Sequence, residues 1–174
     1  MFKLRELEKR DIEIINKWRN KGEVIDKLGA PFRYINTDVD YKWFENYMNN
    51  RNNTVRCAIV AEDDVIIGLI SLTNIDYLNQ NAKLHIMIGE SNNQGKGIGT
   101  FAVKEMLKHA FMNMNLYRVE LQVLESNIIA QKLYEKVGFK KEGVKRSCVY
   151  KNGDFVNMHE YSILKSEFLN KNYD

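Results

Sequence analysis

The spacing of apolar and polar positions along the chain predicts a mixed succession of strands and helices. Alternation of apolar and polar residues indicates strands at 3–7, 54–61, 65–75, 82–88 and 117–123. Apolar side chains at helical spacing predict helices from Asp11 to about Asn20, from Thr37 or Asp38 onwards, from a glycine cluster to about Met114, and over 127–137. Residues 22–36 show no such period, and we expect them to be irregular.

The end of the chain predicts a hairpin, which decides the fold class. Residues 142–150 and 155–164 flank Asn152-Gly153, a strong signal for a type I′ turn. Hairpins therefore surround a single β-loop-α-β unit. This order predicts an α/β fold with a mixed, mostly antiparallel central sheet flanked by helices, and not a doubly wound parallel sheet. No linker or internal repeat interrupts the sequence, so we expect residues 1–174 to form one domain.

Composition excludes several classes of protein. The 174 residues are 44% hydrophobic and 28% charged, and the formal net charge of +3 comes without a Lys/Arg block, so we expect no nucleic-acid partner. Cys57 and Cys148 are too few and too far apart for a disulfide framework or a four-ligand zinc site, and we expect no metal. The first residues lack the apolar core of a secretory signal, and no stretch approaches the ~20 apolar residues of a membrane span. We therefore expect a cytoplasmic protein without a membrane partner.

Glycines cluster between a predicted strand and a predicted helix, in ESNNQGKGIGTFAVKEML (90–107). Unpaired N–H groups and the positive end of the helix dipole favour a phosphate group at such a place. A Walker A loop is excluded because Lys96 is followed by Gly97 and not by Ser or Thr. Gly97-Ile-Gly99-Thr-Phe-Ala102 fits a dinucleotide-binding pattern, but hairpins flank it where further βαβ units are needed. A glycine-rich turn that only caps the helix is another alternative for this loop.

A further interpretation of the loop rests on resemblance to a family. Gln94-x-x-Gly97-x-Gly99 resembles the pyrophosphate loop of the GNAT superfamily, the acyl-CoA-dependent N-acyltransferases. Downstream, ESNIIAQKLYEKVGF (125–139) resembles the second signature of the same family, at the expected distance. The opening KLRELEKRD and the closing YKNGDFVNMHEYSILKSEF are similar to the branch that contains ribosomal-protein N-terminal, spermidine and nucleotide-amino-sugar acetyltransferases.

The resemblance implies a site for acetyl-CoA in a V-shaped gap between the strands at 82–88 and 117–123. The pantetheine arm is expected to pair with backbone groups at one edge of the gap, and the pyrophosphate to lie on the glycine loop. The residues that the resemblance implies for cofactor binding are Ile86, Met87, Ile88, Gln94, Gly95, Lys96, Gly97, Ile98, Gly99, Thr100, Asn127, Ala130, Lys132, Leu133, Tyr134 and Lys136.

The resemblance also implies direct attack of a neutral amine on the thioester, without a covalent acyl-enzyme. Tyr134 is the expected general acid for the departing thiolate, since ordinary phenol and thiol pKa values differ by about two units. Asn127, at the start of its helix, is expected near the reacting group and as an N-cap. His85 is a candidate base, with a satisfied sheet histidine as the alternative. Glu120, Glu125 or a chain of water molecules are the other candidates.

The acceptor pocket is expected to include residues 19–33, by analogy with the family. That stretch holds four Lys or Arg residues against two acidic ones, which suits an anionic amino sugar better than a polyamine, although a solvated charged loop has the same composition. We expect a small amine or an amino sugar as the acceptor. The alternatives are a protein N-terminus and a non-catalytic acyl-CoA-binding regulator. Tyr41, Trp43 and Tyr47 could join two subunits of a homodimer or larger homo-oligomer, or pack in the core.

Overall fold

Seven strands form one sheet in the computed structural model, which describes residues 2–89 and 97–173. The strands are β1 (Lys3–Glu6), β2 (Val55–Val60), β3 (Ile66–Asp76), β4 (Asn81–Ile88), β5 (Arg118–Leu124), β6 (Lys140–Lys151) and β7 (Asp154–Leu164). Their order across the sheet is β1-β2-β3-β4-β5-β7-β6. Neighbouring strands run antiparallel except for β4 and β5, which are parallel. The mixed, mostly antiparallel sheet expected from the sequence is confirmed.

Helices cover both faces of this sheet. They are α1 (Ile12–Arg19), α2 (Gly22–Ile25), α3 (Thr37–Asn49), α4 (Ile98–Lys108), α5 (Ile128–Val137) and α6 (Lys165–Tyr173). On one face Trp18 of α1 and Phe44 of α3 pack against Ala58 of β2. On the other face Val103 of α4 and Val137 of α5 belong to the larger hydrophobic cluster. Each large apolar side chain buried in this way contributes on the order of 1.5–3 kcal/mol to folding.

The start of α3 and the segment before it differ from the sequence-based expectation. Asn36, and not Thr37 or Asp38, caps α3, because its side chain accepts the N–H of Val39 at 3.0 Å. Residues 22–36, expected to be irregular, contain the short helix α2. A single helical turn has too few residues to show a 3.6-residue period, so the pattern does not reveal it.

Asp11 stands at the start of α1 as expected, but its carboxylate does not cap that helix. It accepts hydrogen bonds from the Arg5 guanidinium at 2.7 and 2.8 Å and from the Glu8 N–H at 2.8 Å. The side chain is 3% exposed, so a paired cation stabilises it where a single N–H group would leave most of its charge uncompensated. Asp11 therefore occupies the expected N-cap position of α1, but its side chain bonds Arg5 and the Glu8 N–H and not the first N–H groups of that helix.

Local signals near the end of the chain are confirmed. Gly138 ends α5 with a φ of 119°, and Asn152 and Gly153 turn the β6–β7 hairpin with φ values of 50° and 97°. The helix expected to reach about Met114 consists of two helix types. The α-helix α4 ends at Lys108, and a π-helical turn follows over His109–Asn113.

Candidate active site

The two parallel strands part soon after they meet, and this parting opens the sheet. Only Asn81, Ala82 and Lys83 of β4 pair with β5. Beyond them, no strand among the described residues pairs with that edge of β4. A cavity of about 1290 Å³ occupies the region and is lined by side chains from both faces of the sheet. The V-shaped gap expected between these strands is present.

One wall of the cavity is the free half of β4. Ile86 and Ile88 pack with the cluster of α4 and α5, whereas Met87 packs with the cluster of α1 and α3. Since side chains alternate along a strand, His85 lies on the same face as Met87. The unpaired edge offers backbone N–H and C=O groups to an extended ligand, as an edge strand does to an added strand.

A second wall is the N-terminus of α4. Gly97 precedes the helix with a φ of 78°, a conformation that favours glycine. The Phe101 N–H bonds to the Gly97 carbonyl at 2.9 Å, and this is the first bond of the helix. The N–H groups of Ile98, Gly99 and Thr100 therefore have no intrahelical partner. Together with the helix dipole they form a site suited to an anion, beside the cavity that these residues line.

The two sequence motifs touch each other at Gly99. A β-carbon there would lie 2.5 Å from Cδ1 of Leu133, so the absence of a side chain lets α4 approach α5 closely. Gln94, Gly95 and Lys96, the other predicted residues of the loop, lie outside the described residues.

The third wall is α5. The side chain of Asn127 accepts the Ala130 N–H at 3.2 Å, which confirms the expected N-cap. Its Nδ2 donates to the carbonyl of Lys27 at 3.0 Å, so the same amide also fastens the loop after α2. Lys132 and Lys136 are exposed on α5 and line the cavity. Their charges add to the attraction of an anion at the neighbouring end of α4.

Tyr134 lies about one turn after Ala130 on α5 and lines the cavity, yet it is only 7% exposed. Its ring packs against Phe139 and Tyr161, with centroid separations of 5.7 and 6.4 Å. Among the described residues its hydroxyl has no hydrogen-bond partner. Burial disfavours the phenolate and raises the pKa of Tyr134 to about 12.

His85 is the one expected base candidate that lines the cavity. Its Nε2 shares a hydrogen bond with Oγ1 of Thr73 at 2.9 Å, while the side chain stays reachable from solvent. Surrounding protein atoms lower the pKa of His85, and the cations of Arg56 and Lys83 lower it further. The imidazole is therefore neutral and able to accept a proton near neutral pH.

The two carboxylates that were candidates for the base, Glu120 and Glu125, form ion pairs outside the cavity. Glu120 lies where β4 and β5 still pair and forms ion pairs with Lys83 at 3.6 Å and Arg118 at 3.4 Å. Glu125 bonds Nε2 of His159 at 3.1 Å. Neither carboxylate lines the cavity, so the geometry does not bring them to the reacting groups.

Long-range hydrogen bonds fix the loop that borders the acceptor side. The Lys151 ammonium, on a side chain 8% exposed, donates to the carbonyls of Ile25 at 2.6 Å and Ala30 at 2.9 Å. Two residues after Ile25, the Lys27 carbonyl accepts the amide of Asn127. The loop is therefore held both to the β6–β7 hairpin and to α5, and its position is coupled to the cavity.

One cationic group at this site was not expected from the sequence. Arg56 of β2 lines the cavity, with its guanidinium carbon 4.6 Å from the ring centroid of Trp43 and Nη1 3.4 Å from Oγ of Ser71. Arg19, also in the lining, bonds the fully buried Asp40. The sequence signal that could have indicated Arg56 was a charged residue within a strand that is otherwise apolar.

The aromatic residues considered for subunit contact are used within the chain. Tyr47 is 6% exposed and donates its hydroxyl proton to Glu6 at 2.8 Å. Tyr41 donates to Glu13 at 3.3 Å, and Trp43 stacks under Arg56. Packing accounts for all three aromatic residues, and oligomerisation stays a prediction.

Within residues 2–89 and 97–173, no group of three or more His, Cys, Asp or Glu side chains is arranged to hold a metal ion. No helix in the same part of the chain is long and apolar enough to cross a membrane. The expectation that no metal takes part stays a prediction.

The chain resembles known acetyltransferases in both sequence and fold. Residues 2–140 match the family model described as an acetyltransferase (GNAT) domain. The chain is 28% identical over 167 residues to an uncharacterised N-acetyltransferase, p20, of Bacillus licheniformis, over 95% of this chain and 93% of that protein. It is 28% identical to the spermidine N(1)-acetyltransferase of Vibrio cholerae, over 97% and 95% of the two chains. The crystal structure of spermidine N-acetyltransferase from Vibrio cholerae in complex with CoA and spermine matches with a TM-score of 0.90 and 27% identity, over 97% of this chain and 98% of that chain.

Proposed function

Since this chain belongs to the GNAT acetyltransferase family, we propose that it transfers the acetyl group of acetyl-CoA to the primary amine of a small molecule, an amine or an amino sugar. The observation that carries this proposal is the cavity through the parted strands β4 and β5. It meets the free N–H groups of α4 on one side of the sheet and His85 and Arg56 on the other. Two substrates can therefore approach one point from opposite faces. The spermidine acetyltransferases among the relatives agree with a small amine as acceptor.

For the cofactor, the α4 N-terminus and its neighbouring lysines supply an anion site. The N–H groups of the first turn would hold the pyrophosphate, with Lys132 and Lys136 of α5 adding positive charge. The preceding loop residues Gln94 to Lys96 complete the proposed site. The free edge of Ile86, Met87 and Ile88 would pair with amide groups of the pantetheine arm, as an added strand would.

In the reaction, the amine nitrogen bonds to the thioester carbonyl carbon and the carbon–sulfur bond breaks. Tyr134 is the proposed hydrogen-bond donor to the departing sulfur. With a pKa of about 12 its phenol stays protonated at every working pH, so the donor is always available. Complete proton transfer to a thiolate, whose thiol has a pKa of about 8.5, is unfavourable. The phenol therefore acts mainly as a hydrogen-bond donor that stabilises charge developing on the sulfur.

The attacking amine must be neutral and must then lose a second proton. His85 is the proposed acceptor of that proton, directly or through one water molecule. Its hydrogen bond to Thr73 holds the ring, and its lowered pKa keeps it neutral. No acyl-enzyme is needed, because alignment of the two substrates supplies most of the advantage.

Several wider features belong to the same proposal. We take the whole chain, 1–174, as one catalytic domain, supported by a sheet whose strands span Lys3 to Leu164. A reducing compartment suits the two free thiols, Cys57 and Cys148, and the cytoplasm is the compartment we propose. Catalysis without a metal is supported by a mechanism that needs only amine, phenol and imidazole groups.

The test is turnover with purified protein and acetyl-CoA. Thiol release is followed with a panel of small amines, amino sugars and a peptide with a free N-terminus, while calorimetry measures CoA binding. We expect CoA to bind, thiol to be released only when an amine is present, and no burst of thiol without one. Release with the peptide alone would make the protein N-terminus the acceptor. CoA binding without any turnover would indicate a regulator, and absence of CoA binding would refute the proposal.

A further inference from the structure

Arg56 is a cation on the α1–α3 side of the cavity, and no carboxylate in the described part of the chain pairs with it. Arg56, Ser71 and His85 form a row across three strands, since Arg56 pairs with Ser71 and Ser71 with His85. Neighbouring strands lie about 4.8 Å apart, which puts the backbones of Arg56 and His85 roughly 10 Å apart. His85 is on β4, which borders the gap. The guanidinium therefore lies beside the path of the acceptor and not beside the cofactor.

The guanidinium of Arg56 is held in place but not neutralised. It stacks on Trp43 at 4.6 Å and donates only a long hydrogen bond, 3.4 Å, to Ser71. Its Nε is buried and has no hydrogen-bond partner among the described residues. In that part of the chain no carboxylate oxygen lies within 4.0 Å of the guanidinium. Since Nε is itself buried, a ligand anion would bind the terminal Nη groups of this cation, which lines the cavity.

Carboxylates on neighbouring elements are already paired with other cations. Arg19 bonds Asp40, and Arg51 bonds Glu6. Burial lowers the pKa of Arg56; the neighbouring Tyr47 opposes this shift, and the cation of Arg19 adds a smaller lowering.

The cavity lining carries charges of both signs. Among the described residues it contains six Lys or Arg side chains and two carboxylates, Glu23 and Asp26. Arg19 and Lys145 are paired with Asp40 and Glu160, and Lys132 and Lys136 belong to the proposed cofactor site. Both carboxylates lie on α2 or at its end, whereas Arg56 is on the sheet, so the cation of Arg56 is separated from them along the chain.

Granted the acetyltransferase function proposed above, on which this step rests, we propose that Arg56 forms an anion subsite that selects amines carrying a phosphate or carboxylate group. A guanidinium offers parallel N–H groups that match the oxygens of both anions. Stacking on Trp43 fixes its plane before the ligand arrives, which lowers the entropic cost of binding. The acceptor amine then reaches the gap while its anionic group stays on the sheet face.

Matched acceptor pairs test this subsite. Glucosamine 6-phosphate is compared with glucosamine, and 4-aminobutyrate with butylamine, so that each pair differs by one anionic group. We expect kcat/KM to be roughly 10-fold or more higher for the anionic member of at least one pair, the effect of one charge-assisted hydrogen bond. The pair with the larger preference distinguishes phosphate from carboxylate. Spermidine should be a poorer acceptor than the preferred anionic amine.

Variants assign the preference to one side chain. Arg56→Gln should abolish the advantage of the anionic member, so that kcat/KM for the two members of a pair becomes about equal. The ratio is compared, and not either rate alone, because Arg56 also lowers the pKa of His85. Arg56→Lys should keep part of a phosphate preference and lose more of a carboxylate preference, because Lys lacks the planar fork. Lys42→Gln, which removes a charge from the exposed surface of α3 outside the cavity, should leave the ratios unchanged. Equal losses for both members of a pair in Arg56→Gln would overturn the proposal, as would the absence of any preference in the wild type.

A binding measurement keeps the subsite testable without turnover. With saturating CoA, inorganic phosphate is titrated at constant ionic strength while tryptophan fluorescence is followed, because Trp43 lies against Arg56. We expect a saturable change in the wild type and none in Arg56→Gln. No change in the wild type would overturn the anion subsite even if amines are acetylated. If none of the amines is acetylated but phosphate still changes the fluorescence, the acetyltransferase proposal is refuted and the anion subsite is supported.

Discussion

Tyr134→Phe removes a hydroxyl that lines the cavity and keeps the ring that packs in the core. The ring contacts with Phe139 and Tyr161 do not involve the oxygen. The hydroxyl has no hydrogen-bond partner among the described residues, so its loss should change the free energy of unfolding by less than about 0.5 kcal/mol. The expected effect on catalysis is larger. A hydrogen bond to a charged sulfur stabilises it by about 1.5–3 kcal/mol, which corresponds to a roughly 10- to 150-fold fall in kcat.

The neighbouring Tyr161 provides the matched control. Tyr161→Phe removes the same atom from a ring that is 1% exposed and lies 6.4 Å from the ring of Tyr134. Its hydroxyl donates to Glu135 at 2.9 Å and does not line the cavity. This variant should therefore keep kcat and lose about 1 kcal/mol of stability, or roughly 2–4 °C in Tm. The two substitutions are chemically identical and are expected to have opposite consequences.

Steady-state rates, calorimetric CoA binding and thermal unfolding are measured on both variants and the wild type. CoA affinity should be unchanged in Tyr134→Phe, because the hydroxyl acts only as the sulfur departs. Single-turnover measurements ensure that release of product does not hide the chemical step. A kcat within twofold of wild type in Tyr134→Phe, or an equal fall in Tyr161→Phe, would refute the acid role.

Three further predictions follow from the protonation states and exposure of other side chains. Hydrogen bonds from Arg118 and then Ser162 hold the pKa of Glu142 at about 2, so its contribution to the free energy of unfolding is present above pH 4.5 and is lost as pH falls towards 2. Glu142→Gln should therefore lower stability by at most about 1 kcal/mol at pH 7, and its difference in Tm from the wild type should shrink between pH 5 and pH 3. His85 must be neutral to act, so kcat should fall as pH drops through a pKa below 6.5, and His85→Gln should abolish this limb; an unchanged profile would assign the proton to water. A maleimide at neutral pH should label Cys148, which is exposed and lines the cavity, and labelling should be slower when the acceptor is bound. It should not label Cys57, because burial raises the pKa of that thiol to about 11; mass spectrometry of the digested protein distinguishes the two cysteines.

The cofactor side of the cavity was predictable because its signals are local. Gly97 needs a positive φ, Gly99 needs an absent side chain, and Asn127 needs a position at the start of a helix, and each requirement is visible within a few residues. The parting of β4 and β5 was expected only from the family resemblance, since the order of elements indicates a parallel pair flanked by hairpins and no more. Periodicity and turn chemistry therefore recover the sheet class, whereas the cofactor-binding residues were implied by the family resemblance and stay a prediction.

Predictions failed where long-range contacts or very short elements decide the structure. Asp11 has the side chain of a helix cap, but Arg5 on β1 competes for its carboxylate with two hydrogen bonds. The helix α2 is a single turn, and α6 continues directly from β7 without a glycine or proline to separate them. Neither arrangement leaves a pattern that composition or periodicity can detect.

The acceptor side could not be predicted because its parts come from distant stretches of chain. Arg56 shares a strand face with the buried Ala58 and Val60, so a cation at this position was a visible anomaly, but Trp43 and the cavity beside it were not. The loop after α2 is held by Lys151, whose partner Ile25 lies 126 positions away. Cofactor binding therefore depends on local motifs, whereas acceptor choice depends on contacts between elements. Relatives can share the first and differ in the second, so a fold common to polyamine acetyltransferases is compatible with the proposed preference for anionic amines.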